Sequence, residues 1–227
     1  QETGDWVCLQ NCHLATSWMP ALERIQEQQD PFEIDDMFRL WLTSMPSATF
    51  PIPVLQGGVK ITNEPPKGLR ANLRRTFQEI TPEVYEGCSK SREFKKLLFC
   101  LAFFHAAILE RRKFGAIGWN IPYEWMESDF QVSREQVQMY LESQHGVPWI
   151  TLNYIIAEVN YGGRVTDKQD VRLISAFLYR YFNVGALTDG YKLSALDAYY
   201  VPDEGSVEEV REFIQGLPMD EDPQLFG

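Results

Sequence analysis

The sequence is poor in basic residues and in long apolar runs, and each shortage excludes a class of protein. Its 227 residues include 21 Lys and Arg against 32 Asp and Glu, which gives a net charge of -11. Nucleic acid is therefore not expected as a partner, because phosphate binding needs a basic surface. The longest apolar stretch, residues 97–109, is interrupted only by His105. It is shorter than the roughly 20 residues that cross a bilayer, so no membrane is expected either.

Cysteine is also scarce, and the four that occur form no metal motif. Cys8 and Cys12 lack C-x-x-C spacing. His13 follows them, but the sequence has no second pair of ligand residues that would complete a metal site. We therefore expect no metal. Cys8 lies in a strand-like apolar run and Cys100 in the long apolar stretch, so both are predicted to be buried free thiols, as in a reducing compartment. The sequence also begins without methionine, which suggests a piece of a longer protein.

What the sequence does contain is enough apolar material for a core. Hydrophobic residues make up 44% and aromatic residues 13% of the chain, which argues against disorder. The remaining chain is expected to pack around residues 95–120. Their apolar side chains recur at helical spacing on nearly every face. This pattern predicts a helix at the centre of a bundle. Arg111, Arg112 and Lys113 suit the negative end of the helix dipole, and Gly115 is placed to cap the helix in the left-handed conformation.

Residues 5–62 have the pattern of an α/β fold. Three short strands alternate with two helical segments, which predicts a partial parallel sheet. The first strand is apolar without alternation, as expected if it is buried on both faces. Further strands are expected before residue 1. The predicted elements are strands at 6–9, 37–43 and 59–62, a helix with Met19, Leu22 and Ile25 on one side and Thr16 or Ser17 as its cap, and a helical turn at 54–56.

A double proline at residues 65 and 66 marks a change to helices. Polar caps followed by apolar residues at helical spacing then predict a bundle. The fold class is thus α/β followed by mainly α, with domains at 1–66 and 67–217 and a Pro- and acid-rich linker at 218–227. The other predicted elements are a helix at 68–78, helices capped by Ser133 with Gln136, by Thr166 with Gln169 and by Ser206 with Glu209, a helix led by Pro148, and an extended or hairpin excursion at 191–201.

Several long motifs closely resemble the C-terminal motor region of axonemal dynein heavy chains. The most specific is FFHAAILERRKFGAIGWNIPYEWMESD at 103–129. The resemblance implies the second half of the sixth AAA+ module of the motor ring. In that arrangement, residues 1–66 belong to the large α/β subdomain, 67–217 form its helical lid, and 218–227 link to a C-terminal domain. The other matching motifs are WVCLQNCHLA at 6–15, FRLWLTS at 38–44, VLQGGVKITNEPPKGLRANL at 54–73 and YGGRVTD at 161–167.

The resemblance implies a structural, force-transmitting role in a microtubule-based motor of cilia and flagella. The expected partners are the neighbouring AAA+ modules and the C-terminal domain of the same heavy chain. The parent protein is expected to bind microtubules and dynein intermediate and light chains. ATP and magnesium are expected in other modules, and no cofactor is expected in this segment. The implied location is the cytoplasm and cytoskeleton, in the axoneme of a cilium or flagellum.

The residues that an active AAA+ module needs are not found in this sequence. It has no G-x-x-x-x-G-K-[ST] phosphate loop. Active relatives carry two acids at the end of the strand that begins here at Trp6, and these positions are Gln10 and Asn11. An amide supplies no negative charge for magnesium or for the attacking water, so we predict no ATP hydrolysis. Thr43 and Ser44 occupy positions that read the γ-phosphate in active relatives, although a capped strand end is the simpler interpretation.

Other polar clusters have two interpretations each. Arg70, Arg74 and Arg75 either contact a neighbouring module or its nucleotide, or form a solvated face. His105 is interpreted as a core histidine with a hydrogen-bond partner rather than as a catalytic base. Three acids near residue 127 either form a catalytic set or lie in a solvated turn with salt bridges to Arg111 or Arg112. These acids are Glu124, Glu127 and Asp129.

Two rival functions stay open at this point. One is an ATP-hydrolysing AAA+ enzyme fragment, which requires a phosphate loop upstream and an acid that replaces Gln10 or Asn11. The other is a stand-alone helical adaptor without a motor role, which requires residues 68–217 to fold alone.

Overall fold

The computed structural model describes residues 4–28, 34–61, 66–221 and 223–226. The chain divides into two compact units, residues 1–64 and residues 65–227. The first unit is a small α/β segment and the second is a helical bundle, which agrees with the predicted order of classes.

The first unit is built on a parallel pair of strands. β1 (Trp6–Leu9) pairs with β2 (Arg39–Leu42), with Leu9 opposite Leu42. The connection carries α1 (Met19–Glu27), which begins with a proline in its first turn, and α2 (Ile52–Gly57) follows β2. A small core forms between these helices and the ends of the strands. Its residues are Cys12, Met19, Leu22 and Val54, with Leu9, Leu42 and Phe50 packed against them.

The prediction of a third strand is wrong for residues 59–61, and Thr62 lies outside the described residues. Val59 is 93% exposed and Ile61 is 72% exposed, and neither belongs to a strand. The β-branched composition suggested a strand, but strand formation depends on a neighbouring strand with which to pair. Within the described part of this unit, the sheet has two strands.

The prediction that β1 is buried on both faces is also wrong. Trp6 and Val7 are exposed, and so is the thiol of Cys8. A parallel strand is buried only where layers cover both sides of the sheet, and the small core of this unit reaches only the carboxyl end of β1, at Leu9. At the start of α1, Thr16 and Ser17 lie in a 3-10 turn, and no side chain caps the helix.

The second unit is organised around the predicted central helix, α5 (Ser91–Arg111). Sixteen of its residues are buried, and it packs against helices that precede and follow it in sequence. Phe103 lies 5.1 Å from the ring of Tyr181, and similar ring contacts recur along the helix. The surrounding helices are α3 (Leu69–Glu79), α4 (Pro82–Glu86), α6 (Glu127–Ser143), α7 (Trp149–Tyr154), α8 (Lys168–Tyr181) and α9 (Val207–Gly216).

Side-chain hydrogen bonds cap the starts of three helices in this unit, α6, α8 and α9, and one predicted start is wrong. α6 begins at Glu127 rather than at Ser133, because the Asp129 carboxylate accepts a 2.8 Å hydrogen bond from the backbone N–H of Met126. Ser133 lies inside the helix and donates to the carbonyl of Asp129.

Two other predicted caps lie close to the observed ones. α8 is capped by Asp167 instead of Thr166, since the Asp167 carboxylate accepts from the N–H groups of Gln169 and Asp170. The capping box of Ser206 and Glu209 at α9 is confirmed.

Two irregular helices interrupt the bundle. A π-helix, Ile155–Asn160, continues α7 without a break. After α5, a 3-10 segment spans Arg112–Ile117, and Gly115 within it has φ 55° and ψ -132°. The positive φ agrees with the expected use of a glycine there, but the ψ value lies outside the left-handed helical region. Of the helices that the structure describes, none is both long and apolar enough to cross a membrane.

The C-terminal residues pack onto the bundle. Pro223–Phe226 forms a 3-10 turn in which Leu225 and Phe226 are buried, and the Tyr181 hydroxyl donates to the carbonyl of Leu225 at 2.8 Å. Part of the segment that is predicted to be a linker, residues 223–226, therefore contacts the bundle. The excursion at 191–201 is hairpin-like, since Lys192 and Tyr200 form an antiparallel bridge.

Candidate functional site: the strand ends and the start of α3

Four predicted site residues meet where the two parallel strands end. Because Leu9 lies opposite Leu42, the residues that follow each strand share one edge of the sheet. The backbone N–H of Thr43 donates to the carbonyl of Leu9 at 2.9 Å, and the N–H of Cys12 donates to the carbonyl of Thr43 at 2.9 Å. The structure thus brings Gln10, Asn11, Thr43 and Ser44 to the same edge.

Asn11 fixes the geometry of this edge. It has φ 55° and ψ 43°, a left-handed conformation that asparagine adopts more readily than most residues. Its backbone N–H donates to the Thr43 hydroxyl at 3.0 Å. The hydroxyl of Ser44 donates to the carbonyl of Met45 at 2.8 Å, and His13 Nδ1 accepts from the N–H of Met45 at 3.1 Å. The Thr43 hydroxyl and the His13 imidazole therefore join the two strand ends, whereas the Ser44 hydroxyl contacts only its own chain segment.

The donor set at this edge does not suit a magnesium ion. Magnesium in nucleotide sites is bound by carboxylates, by phosphates and by water, whereas Gln10 and Asn11 contribute neutral amides. Among the described residues, no group of three His, Cys, Asp or Glu side chains is placed to hold a metal. The chemistry available from Gln10, Asn11, Thr43 and Ser44 is hydrogen bonding without a charged ligand.

The three arginines of α3 have separate environments. Arg70 lies inside the second unit, where its Nη1 atom donates to the carbonyls of Gln215 at 3.3 Å and Leu217 at 3.2 Å. Arg75 forms a partly exposed pair with Glu79, with 3.9 Å between Nε and Oε1. Arg74 is exposed and has no hydrogen bond or ion pair with the described residues. Arg70 is thus engaged within the unit, and Arg74 faces outward.

Two acids that sequence reasoning missed bind the start of α3. The buried carboxylate of Glu110 accepts from the backbone N–H of Gly68 and from Asn72 Nδ2, each at 2.8 Å. The carboxylate of Glu221 accepts from the backbone N–H of Leu69. We call Glu110, Glu221 and Arg70, with the backbone groups that they bind, the α3 clamp. An acid inside an otherwise apolar helix is a signal that points to Glu110, whereas no local pattern points to Glu221.

The buried histidine of α5 has a hydrogen-bond partner, as expected for a core residue. His105 Nδ1 lies 3.0 Å from the Tyr161 hydroxyl, and its Nε2 atom lies 3.8 Å from a carboxylate oxygen of Glu127. Burial, with a smaller contribution from Arg75, lowers the pKa of His105 to about 4. Burial and the nearby Glu79 raise the pKa of Glu127. The imidazole is therefore neutral near pH 7 and is enclosed by the bundle.

The remaining acids near residue 127 have separate structural contacts. Asp129 caps α6 and forms a 2.9 Å ion pair with Arg164 rather than with Arg111 or Arg112. Glu124 lies 3.9 Å from Arg112, as the salt-bridge interpretation predicts. These contacts favour the structural interpretation over a shared catalytic set.

Two family models match the chain in the order of its two units. The description of the first is dynein heavy chain region D6 P-loop domain, which matches residues 1–62. The description of the second is dynein heavy chain AAA lid domain, which matches residues 94–227. The parallel strands and the helical bundle thus belong to a P-loop domain and to an AAA lid.

Similar curated proteins cover nearly all of this chain. Dynein axonemal heavy chain 3 of Mus musculus is 50% identical over 99% of the chain. The Dynein-1-beta heavy chain of the flagellar inner arm I1 complex of Chlamydomonas reinhardtii is 47% identical over 99% of the chain. Dynein axonemal heavy chain 2 of Mus musculus is also 47% identical over 99% of the chain. The chain spans 5% to 6% of the length of these relatives.

The fold and these matches define an AAA-type segment, in which residues of a P-loop domain are followed by a lid. The chain belongs to the dynein heavy chain family, in its axonemal branch. The names of the relatives support the predicted location in the axoneme of a cilium or flagellum.

Proposed function

We propose that this chain is a structural, force-transmitting segment of the ring of an axonemal dynein motor, and that it does not itself hydrolyse ATP. The α3 clamp carries the proposal. Contacts of Glu221 with Leu69 and of Arg70 with Gln215 and Leu217 join the start of α3 to the end of α9 and the residues that follow it. Glu110 connects the same point to the central helix.

This arrangement suits a segment that passes on a displacement. A rigid element transmits motion when its ends are fixed to a common core. In the second unit, α5 supplies the core and the α3 clamp joins the two regions where the chain enters and leaves. A pull on either region therefore reaches the central helix through hydrogen bonds to buried groups rather than through a loose connection.

The gliding speed of microtubules on the parent heavy chain tests this proposal. Glu221→Gln keeps the side-chain volume but replaces the charged acceptor of the Leu69 N–H. We expect ATP turnover to remain within about twofold while gliding slows several-fold. Asp220→Asn is the matched control, because it makes the same charge change one residue away at an exposed side chain. Equal gliding by both variants would count against transmission through the α3 clamp.

The absence of hydrolysis rests on the strand-end chemistry. Phosphoryl transfer needs a metal held by acids and a positioned water, and Gln10 and Asn11 supply only amides at this edge. Thr43 is bound to Asn11, which supports a strand-end role more than a γ-phosphate sensor. The segment accordingly needs no cofactor, and ATP and magnesium act in other modules of the parent.

An ATP-hydrolysing AAA+ module is the main alternative, and the match to a P-loop domain model favours it. It requires an acid from elsewhere in the chain to replace Gln10 or Asn11. A helical adaptor is a weaker alternative, favoured by the large core of the second unit. It requires residues 68–217 to fold and bind a partner alone.

Partners and boundaries follow from the same proposal. Residues 1–66 complete the large subdomain of the sixth module, and 67–217 form the lid. Arg74, which faces outward, and the partly exposed Arg75 contact a neighbouring module or the C-terminal domain. The parent binds microtubules and dynein intermediate and light chains. Charge reversal at Arg74 is expected to alter contacts within the ring, whereas loss of Arg70 is expected to loosen the α3 clamp.

A further inference from the structure

A groove of about 690 Å³ lies between the α7–π-helix segment and α8 in the second unit. One wall is lined at four-residue steps by Trp149, Asn153 and Ala157, and the other by Ser175, Tyr179 and Asn183. The groove shares no lining residue with the α3 clamp, and none of the roles described above uses it.

The π-helix keeps the first wall straight. An α-helix has 3.6 residues per turn, so a stripe at four-residue steps winds gradually around it. A π-helix has i→i+5 hydrogen bonds and therefore more residues per turn, so the same steps wind in the opposite sense. α7 is followed directly by the π-helix Ile155–Asn160. The rotation of the stripe around α7 is therefore offset by its opposite rotation around the π-helix. Residues 149–158 consequently present one continuous stripe, and π-turns of this kind frequently occur at functional sites.

The walls are apolar and open to solvent. Ile150 is 89% exposed, Tyr154 is 55% exposed and Tyr179 is 67% exposed. A small-molecule site buries most of its ligand's surface, whereas these exposed side chains line a groove that is open to solvent. Ala157 and Ala176 line it with small side chains, which leaves room for the backbone of an occupant. Each wall spans nine to ten residues, or about 14 Å, which equals some two and a half turns of an α-helix. The shape therefore fits a short helix.

One charged side chain specifies the chemistry of that helix. Among the described residues that line the groove, Glu158 is the one that carries a charge, and it is exposed. The complementary occupant is therefore cationic at that point.

We propose that this groove docks a basic amphipathic helix of a separate polypeptide. Its apolar side chains, at i, i+3, i+4 and i+7, contact Ile150, Tyr154 and Tyr179, in the usual mode of helix-in-groove recognition. A lysine or arginine of the helix faces Glu158. A second copy of this chain is a poorer occupant, since each copy carries a net charge of -11.

Peptide binding tests the proposal. The probe is a fluorescein-labelled helical peptide of about 15 residues, with leucine at the apolar positions and lysine elsewhere. A second peptide carries glutamate in place of lysine, and a third has the leucine and lysine order scrambled. Fluorescence anisotropy with the 227-residue chain is expected to show binding of the basic amphipathic peptide only.

Surface variants locate the binding. Glu158→Lys is expected to weaken the basic peptide at least about tenfold and to give the acidic peptide measurable affinity. Tyr179→Ser is expected to weaken the basic peptide by a similar factor. Met139→Ser, which changes an exposed apolar side chain of α6 outside the groove, is the control and is expected to have no effect. Amide chemical-shift changes on binding are expected within 149–158 and 175–184.

Four results would overturn the proposal. They are equal affinity for the basic and scrambled peptides, no effect of either groove variant, self-association that Tyr179→Ser abolishes, and failure of the full heavy chain to bind a peptide that the 227-residue chain binds. The third result would assign the groove to a second copy. The fourth would show that another part of the same heavy chain covers it.

Discussion

Glu110 and Gly68 are 42 residues apart in sequence, and the Glu110 carboxylate accepts a 2.8 Å hydrogen bond from the backbone N–H of Gly68. One partner belongs to the buried central helix, and the other is the residue that precedes α3. A helix leaves its first N–H groups without partners inside the helix, and a carboxylate near that end is also favoured by the helix dipole. Glu110 therefore joins the start of α3 to the core of the second unit.

Loss of the Glu110 carboxylate is expected to destabilise the fold strongly. Glu110→Ala leaves the Gly68 N–H, the Asn72 amide and the Lys113 ammonium without their common acceptor. Removal of one partner from a buried charged network costs about 3–5 kcal/mol. Urea unfolding, followed by circular dichroism, measures the free energy of unfolding. Glu212→Ala, at an exposed acid of α9, is the control, and an equal effect of both variants would contradict the role of Glu110.

The backbone at Gly68 requires glycine. Its φ is 104°, and a Cβ atom there would lie 3.3 Å from the carboxylate of Glu221. Gly68→Ala is therefore expected to lower the free energy of unfolding by about 1–3 kcal/mol. Gly146 has an ordinary φ and open space around it, so Gly146→Ala is expected to be neutral or stabilising by up to about 1 kcal/mol. Urea unfolding of the two variants under the same conditions separates backbone strain from the general effect of adding a methyl group.

The stability of the bundle is expected to fall as the pH is lowered from 7 to 5. His105 has a folded-state pKa of about 4, below its ordinary value of 6.5, because burial disfavours the imidazolium. Between these values the unfolded chain binds more protons than the folded chain, so stability increases with pH. The contribution of His105 to the difference between pH 5 and pH 7 is about 2 kcal/mol. The raised pKa of Glu127 acts in the opposite direction above its ordinary pKa and reduces the net change.

A histidine variant isolates this contribution. His105→Gln removes the titrating group and is expected to flatten the dependence of unfolding free energy on pH between 5 and 7. His145→Gln is the control, because His145 is exposed. If both variants retained the pH slope of the unsubstituted chain, the assignment to His105 would be wrong.

The sequence predicts the central helix well because its signal is local. Within this 21-residue helix, apolar residues recur at helical spacing from Phe94 to Leu109. The start of α6 is less predictable, since its cap comes from Asp129 while the residue before the helix is Met126, which carries no capping signal. Ser133 and Gln136 match a capping box by sequence alone, but the chain is already helical when it reaches them.

The long-range contacts of the site cannot be predicted from local sequence patterns. Leu69 and Glu221 are 152 residues apart, so no short motif relates them. The third strand was inferred from the composition of residues 59–62, but pairing depends on neighbours that composition does not specify. The convergence of Gln10, Asn11, Thr43 and Ser44, by contrast, follows directly from two parallel strands that end at one edge.

Phosphate release by the sixth module tests the central claim most directly. The protein to measure is a heavy-chain segment that contains this chain and the whole of its P-loop domain, with magnesium-ATP in excess. We expect no turnover above background, and no gain from the single substitutions Gln10→Glu or Asn11→Asp. Steady hydrolysis by the unsubstituted segment would show that acids outside this strand edge hold the metal and the water, and it would contradict the account given for Gln10 and Asn11.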